Sequence, residues 1–205
     1  MKRFCCLVMS LFLCLGVLLS NGIDARANDN SQVVVTEKSS ILTRQEAIKL
    51  VSEKQGISIK EAEKQFASSN KNTFNILGSK PMYQTYAKTF NYPGGVQIEL
   101  GGVWELYTNG SFRQLNCISS KWCKASGSGV YEWDCFHVTD ATGKYPTTCV
   151  NLKSRGAIVI KVSKSQTSTI GVSLEGLGFS LSSTSGQTYY YRKTVDLQMT
   201  KDIYR

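Results

Sequence analysis

Histidine is nearly absent from this chain: His137 is the single one in 205 residues. Every Ser–His–Asp or Cys–His mechanism would therefore have to pass through that side chain. No G-x-S-x-G elbow, Walker A loop, dinucleotide fingerprint, EF-hand loop or H-E-x-x-H helix occurs either. C-x-x-C is missing, and His137 is only two residues from Cys135, so tetrahedral metal spacing is missing too. These gaps point to a protein with no cofactor and no metal. Proline is scarce, with three residues confined to 81–146, so little interrupts the strand patterns. Beyond the N-terminus no apolar run reaches the roughly 20 residues that a spanning helix needs.

What is present begins with an address. Lys2 and Arg3 precede an apolar run from Leu7 to Leu19, and Ala25-Arg26-Ala27 follows. This is the pattern of a signal peptide cleaved after Ala27, so the expected location is outside the cell or on its surface. Three of the seven cysteines, Cys5, Cys6 and Cys14, would leave with residues 1–27. Cys14 follows Phe12 and Leu13, not the small residue a lipoprotein signal places before its cysteine. Cys117, Cys123, Cys135 and Cys149 remain, and an even number in an exported chain reads as two disulfides. Three connectivities are open. Symmetry about Ser120 and Thr142 favours 117–123 with 135–149, each closing a local loop.

The formal charge is +9. Residues 79–205 hold most of the surplus, with fourteen Lys and Arg against eight Asp and Glu. A basic exported domain is drawn to an anionic cell-surface polymer, an acidic glycan or a membrane surface. Residues 43–78 have a helix–turn–helix look. Export and the near-neutral charge of that segment exclude nucleic acid as its partner.

The predicted organisation is a flexible linker over residues 28–42, a helical hairpin within 43–78 and a β domain over 79–205. Thr43 with Glu46 and Ser58 with Glu61 are successive capping boxes, and Gly56 marks the stop between two helices, 43–55 and 59–68. From about residue 80 the apolar period changes from 3.6 to 2. Asn109-Gly110 reads as a two-residue hairpin turn between 103–108 and 111–117, setting Trp104 opposite Leu115 and Tyr107 opposite Phe112. Further strands are expected at 130–139, 157–162 and 189–199. The fold class is mainly β: an antiparallel β-sandwich or barrel of seven to eight strands, preceded by the short helical hairpin.

Three groups of side chains are candidates for function. Glu132 and Asp134 alternate on one strand and so share a face, as two carboxylates for glycan cleavage would; His137 lies on the same strand. Trp122, in an expected loop between Lys121 and Lys124, is the leading exposed contact residue. Tyr190, Arg192 and Lys193 form a second aromatic-basic cluster, suited to stacking on sugar rings and pairing with acidic groups. Third, Ile170, Val172 and Leu174 alternate with small polar residues, as do Leu177, Phe179 and Leu181 after Glu175-Gly176. That alternation over residues 169–182 suits an amphipathic hairpin, either covering a core or inserting into a membrane as in β-pore formers.

Together these features predict a secreted, non-enzymatic binding or surface-interaction protein for an anionic polymer, glycan or protein. A cationic antimicrobial or pore-forming toxin acting through the 169–182 hairpin is the alternative, and a glycan hydrolase the third. N-terminal sequencing of the exported protein is expected to start at Asn28; a chain starting at Met1 in the medium would contradict the signal reading.

Overall fold

The structure is a computed structural model that describes residues 33–69, 81–92, 95–127, 131–166 and 171–204. The expected signal peptide and Ile170 lie outside these residues. The chain is mainly β; among the described residues it has eight strands in two antiparallel four-stranded sheets and a short helical pair. Strands β1 (Val33–Leu42), β2 (Met82–Tyr92), β3 (Val96–Asn109) and β4 (Phe112–Ala125) follow one another across the first sheet. The second sheet runs in the order β5 (Tyr131–Asp140), β6 (Cys149–Ser163), β8 (Thr188–Asp202), β7 (Ser180–Ser185).

Helices α1 (Arg44–Gln55) and α2 (Ile59–Ser69) form where the capping boxes predict them. The Glu46 carboxylate accepts the Thr43 N–H at 2.8 Å, and the Thr43 hydroxyl accepts the Glu46 N–H at 3.4 Å. Ser58 and Glu61 repeat this at 2.9 and 3.3 Å. These hydrogen bonds hold both carboxyls below their usual range. Gly56, at φ +66°, takes the left-handed position that ends α1.

The first sheet is covered on both faces. On one face Ala47, Ile48, Val51, Ala62 and Phe66 of the helices pack on Tyr83, Val103 and Trp122. On the other, Ile98, Leu100, Trp104 and Leu115 meet Leu152, Ile158, Val195 and Leu197 of the second sheet. Each large side chain so buried contributes about 1.5–3 kcal/mol. β3, the second strand from the β4 edge, is accordingly buried along most of its length. Gly101 and Gly102 lie within it without breaking it. A Cβ at Gly101 would stand 2.7 Å from Trp122 Cζ2, and one at Gly102 2.8 Å from Trp104 Cη2. The two glycines make room for an indole on each face.

Several expectations need correction. Residues 33–42, expected to be linker, are β1, which pairs antiparallel with β2. Among the described residues the helical pair therefore follows one strand and precedes seven. The β3–β4 turn is centred on Gly110 (φ +59°) and Ser111, with Asn109 paired to Phe112. Tyr107 thus faces Gln114, and a bulge between Leu106 and Glu105 sets Trp104 opposite Ile118. Residues 172–176 form a short helix, α3 (Val172–Gly176), so the 169–182 hairpin is not formed. Leu174 and Phe179 enter the main core, while Leu177 and Leu181 are exposed; the side chain of Val172 is outside the description. Spacings of three and four between Leu174, Leu177 and Leu181 fit a helical turn as well as the alternation fits a strand.

The two-disulfide pairing is also overturned. No S–S bond joins any two of the four cysteines in this structure. Cys117 and Cys123 lie on one strand, six residues or roughly 20 Å apart. Cys135 is opposite Gly156, seven residues from Cys149 along β6. Neither pair can meet the Cα separation of about 4.4–6.8 Å that a disulfide needs.

Phe66→Ala should cost about 3–5 kcal/mol and Thr43→Ala about 1 kcal/mol in urea denaturation. Equal, negligible costs would mean that the helical pair is not docked on the sheet.

Candidate functional site: a lysine cleft and the groove beside it

Trp122 is not in a loop. It is a β4 residue only 4% exposed, lying beneath the helices. Its indole N–H donates to Glu99 Oε1 at 2.7 Å. Lys54 of α1 reaches the same carboxylate, at 2.7 Å to Oε1 and 2.8 Å to Oε2. Glu99 is 6% exposed, so this charge is buried but matched by a cation and an indole N–H.

Glu99 stands in a row across the first sheet. Register sets Thr36 opposite Thr89, Thr89 opposite Glu99, and Glu99 opposite Lys124. These residues floor a cleft of about 460 Å³ beside the end of α1, whose lining includes Lys38, Lys54, Gln97 and Ser126. Three lysines face it against one carboxylate among the described lining residues, and Lys54 already answers that carboxylate. The cleft is thus a polar, net-positive cavity of ligand size.

Ala125 lines this cleft and also a shallow groove of about 650 Å³ along edge strand β5. Tyr131, Trp133, Tyr190 and Arg192 line the groove with Glu132 and Asp134. Alternation on β5 turns Tyr131 and Trp133 toward the core and leaves Glu132 and Asp134 exposed. The Tyr131 hydroxyl donates to Gln97 O at 2.6 Å and accepts the Gly127 N–H at 3.1 Å, tying the groove to the cleft wall. Lys161 Nζ pairs with Glu132 at 2.6 Å and stands 5.9 Å from the Tyr190 ring centre. Arg192 pairs with Asp134 at 2.7 Å and lies 5.4 Å from the exposed Phe136 ring. The surface is therefore aromatic and ion-paired rather than plainly basic.

Of the residues singled out by sequence, Glu132, Asp134, Tyr190 and Arg192 come together here. The others do not. Lys121 and Lys124 are an odd number apart on β4, so they project to opposite faces, and only Lys124 reaches the cleft. Lys193 alternates away from Arg192, donates to Leu177 O at 2.8 Å and sits over the Phe179 ring. A bulge at Phe136 takes His137 off the Tyr131–Trp133–Cys135 face and leaves it exposed. Asp140 accepts from Tyr145 Oη at 2.8 Å and Thr142 N at 3.0 Å, so its carboxylate is committed to the β5–β6 turn. No cluster of His, Cys, Asp or Glu able to hold a metal ion is found among the described residues. Glu99, Lys54 and Lys38 are site residues that sequence reasoning missed. An isolated Glu in an apolar strand next to two glycines was the available signal.

No protein-family profile, no curated protein and no solved structure matches this chain.

Lys54→Ala leaves the Glu99 carboxylate buried without its cation, and should cost about 3–5 kcal/mol in chemical denaturation. Adding Glu99→Leu to it should recover most of that loss. A Lys54→Ala protein as stable as the wild type would contradict the buried-pair reading.

Proposed function

We propose that this protein is an exported, non-catalytic receptor for an acidic glycan or similar anionic surface polymer. The observation that carries the reading is the convergence of two surfaces at Ala125. The lysine cleft offers cations and small polar groups, and the adjoining groove offers aromatic rings. Acidic saccharides present those two features together, a negative group and an apolar ring face. Lys38 and Lys124 would pair with the carboxylate or phosphate of one residue. Tyr190, carried on a rigid strand, would stack on the ring of a neighbouring residue.

The pairing of Glu132 with Lys161 and of Asp134 with Arg192 supports binding over cleavage. A hydrolytic pair needs one carboxyl held protonated as the acid. Both carboxylates here are instead engaged by cations, Lys161 and Arg192.

Calorimetric titration with an oligogalacturonate, and with a neutral oligosaccharide of equal length, tests this. Binding should favour the acidic sugar and weaken as salt rises. Lys124→Glu and Tyr190→Ala should each weaken it about tenfold, which corresponds to roughly 1.4 kcal/mol, while Lys164→Ala should not. Equal affinity for both sugars, or no heat with either at millimolar concentration, would overturn the reading. Release of reducing ends, abolished by Glu132→Gln, would replace it with a hydrolase.

A further inference from the structure

The two sheets meet where β4 packs against β5, and there the side chains of Cys123 and Cys135 interact with each other. Cys123 pairs with Leu100 on β3 and packs against the main core. Cys135 projects from the core-facing side of β5, with its sulfur 3.7 Å from Ser154 Oγ and 3.8 Å from the His137 carbonyl oxygen. The Trp133 indole lies beside both sulfurs, its buried N–H making no hydrogen bond. Gly156, opposite Cys135, admits the Trp133 ring so closely that a Cβ there would be 2.4 Å from it. The sulfurs are therefore held together by packed strands rather than by a mobile loop.

We propose that Cys123 and Cys135 are a disulfide site that staples the first sheet to the second, and that Cys117 and Cys149 stay free. The bond forms by exchange with a small disulfide such as oxidised glutathione. The Cys135 thiolate attacks one donor sulfur and expels one donor thiolate. The Cys123 sulfur, giving up its proton, then attacks Cys135 Sγ and expels the second. The two cysteines lose two electrons and two protons in all, and the donor leaves as two thiols. The neighbouring Cys123 lowers the pKa of Cys135, which makes Cys135 the attacking thiolate. The same contact, with burial, raises that of Cys123.

Among the described residues Cys117 and Cys149 have no such cysteine partner. Burial raises the Cys117 thiol to about 11, beside Glu105. The bridge between Leu115 and Thr147 sets Cys117 level with Tyr145, four residues from Cys149. The staple would lie two residues from Ala125 on β4 and from Trp133 on β5. Both line the groove, so the bond would hold its walls at one spacing.

Trypsin separates the four cysteines into peptides 114–121, 122–124, 125–144 and 145–153, and puts Cys5, Cys6 and Cys14 in 4–26. The full chain is refolded in a glutathione redox buffer, alkylated, and digested without reductant for mass spectrometry. Peptide 122–124 should appear joined to 125–144, with 114–121 and 145–153 alkylated. Any other partner for Cys123 or Cys135, or alkylation of both, overturns the proposal. Reduction should lower the melting temperature of the wild type and leave that of Cys123→Ser unchanged; a wild type indifferent to reduction denies the bond its stapling role.

Discussion

The Glu99 carboxylate is the point on which both fold and site depend. It is buried in a sheet that is covered on both faces, and a buried charge persists only when it is matched. Lys54 supplies the matching cation from α1, and Trp122 supplies an indole N–H from β4. The indole in turn lies flat only because Gly101 has no side chain in its way. One carboxylate thus fixes where the helical pair sits, which face Trp122 takes, and where the floor of the lysine cleft lies.

From that arrangement the rest of the surface follows. Docked helices turn the end of α1 into one wall of the cleft, and the row Thr36–Thr89–Glu99–Lys124 becomes its floor. The β4 edge carries the cleft to Ala125, where the second sheet begins its groove. On that sheet the carboxylates are held by Lys161 and Arg192, so the aromatic rings and unanswered cations are left as the groups available to a ligand. Rigid strands present them, so the protein itself would lose little entropy on taking the proposed ligand.

Local signals were legible in the sequence and long-range ones were not. The capping boxes at Thr43 and Ser58 need only residues three apart, and both helices form where they point. The β-rich class and the two antiparallel layers follow from the period-2 alternation. Trp122 was misread because two flanking lysines suggest exposure, whereas the helical pair covers the face of β4 that carries the indole, and Lys124 on that same face emerges only at the cleft. Hairpin symmetry suggested the wrong cysteine pairs, because Cys117 and Cys123 share one long strand and the Cys123–Cys135 contact depends on how two sheet edges meet. Residues 171–179 carry apolar spacings that fit both periods, and burial of Leu174 and Phe179 against the core settles them as a turn of helix leading into β7. Within the site, Glu132, Asp134, Tyr190 and Arg192 were visible as patterned strand residues. Lys38 and Lys54 were not, since each is an ordinary surface lysine until β1 and α1 are placed around Glu99.

The most direct measurement is a crystal structure of the protein grown with an acidic oligosaccharide. A receptor of the kind described here holds a sugar carboxylate between Lys38 and Lys124, with a ring against Tyr190 and the chain passing Ala125. A sugar bound elsewhere on the molecule, with cleft and groove both empty, would contradict it.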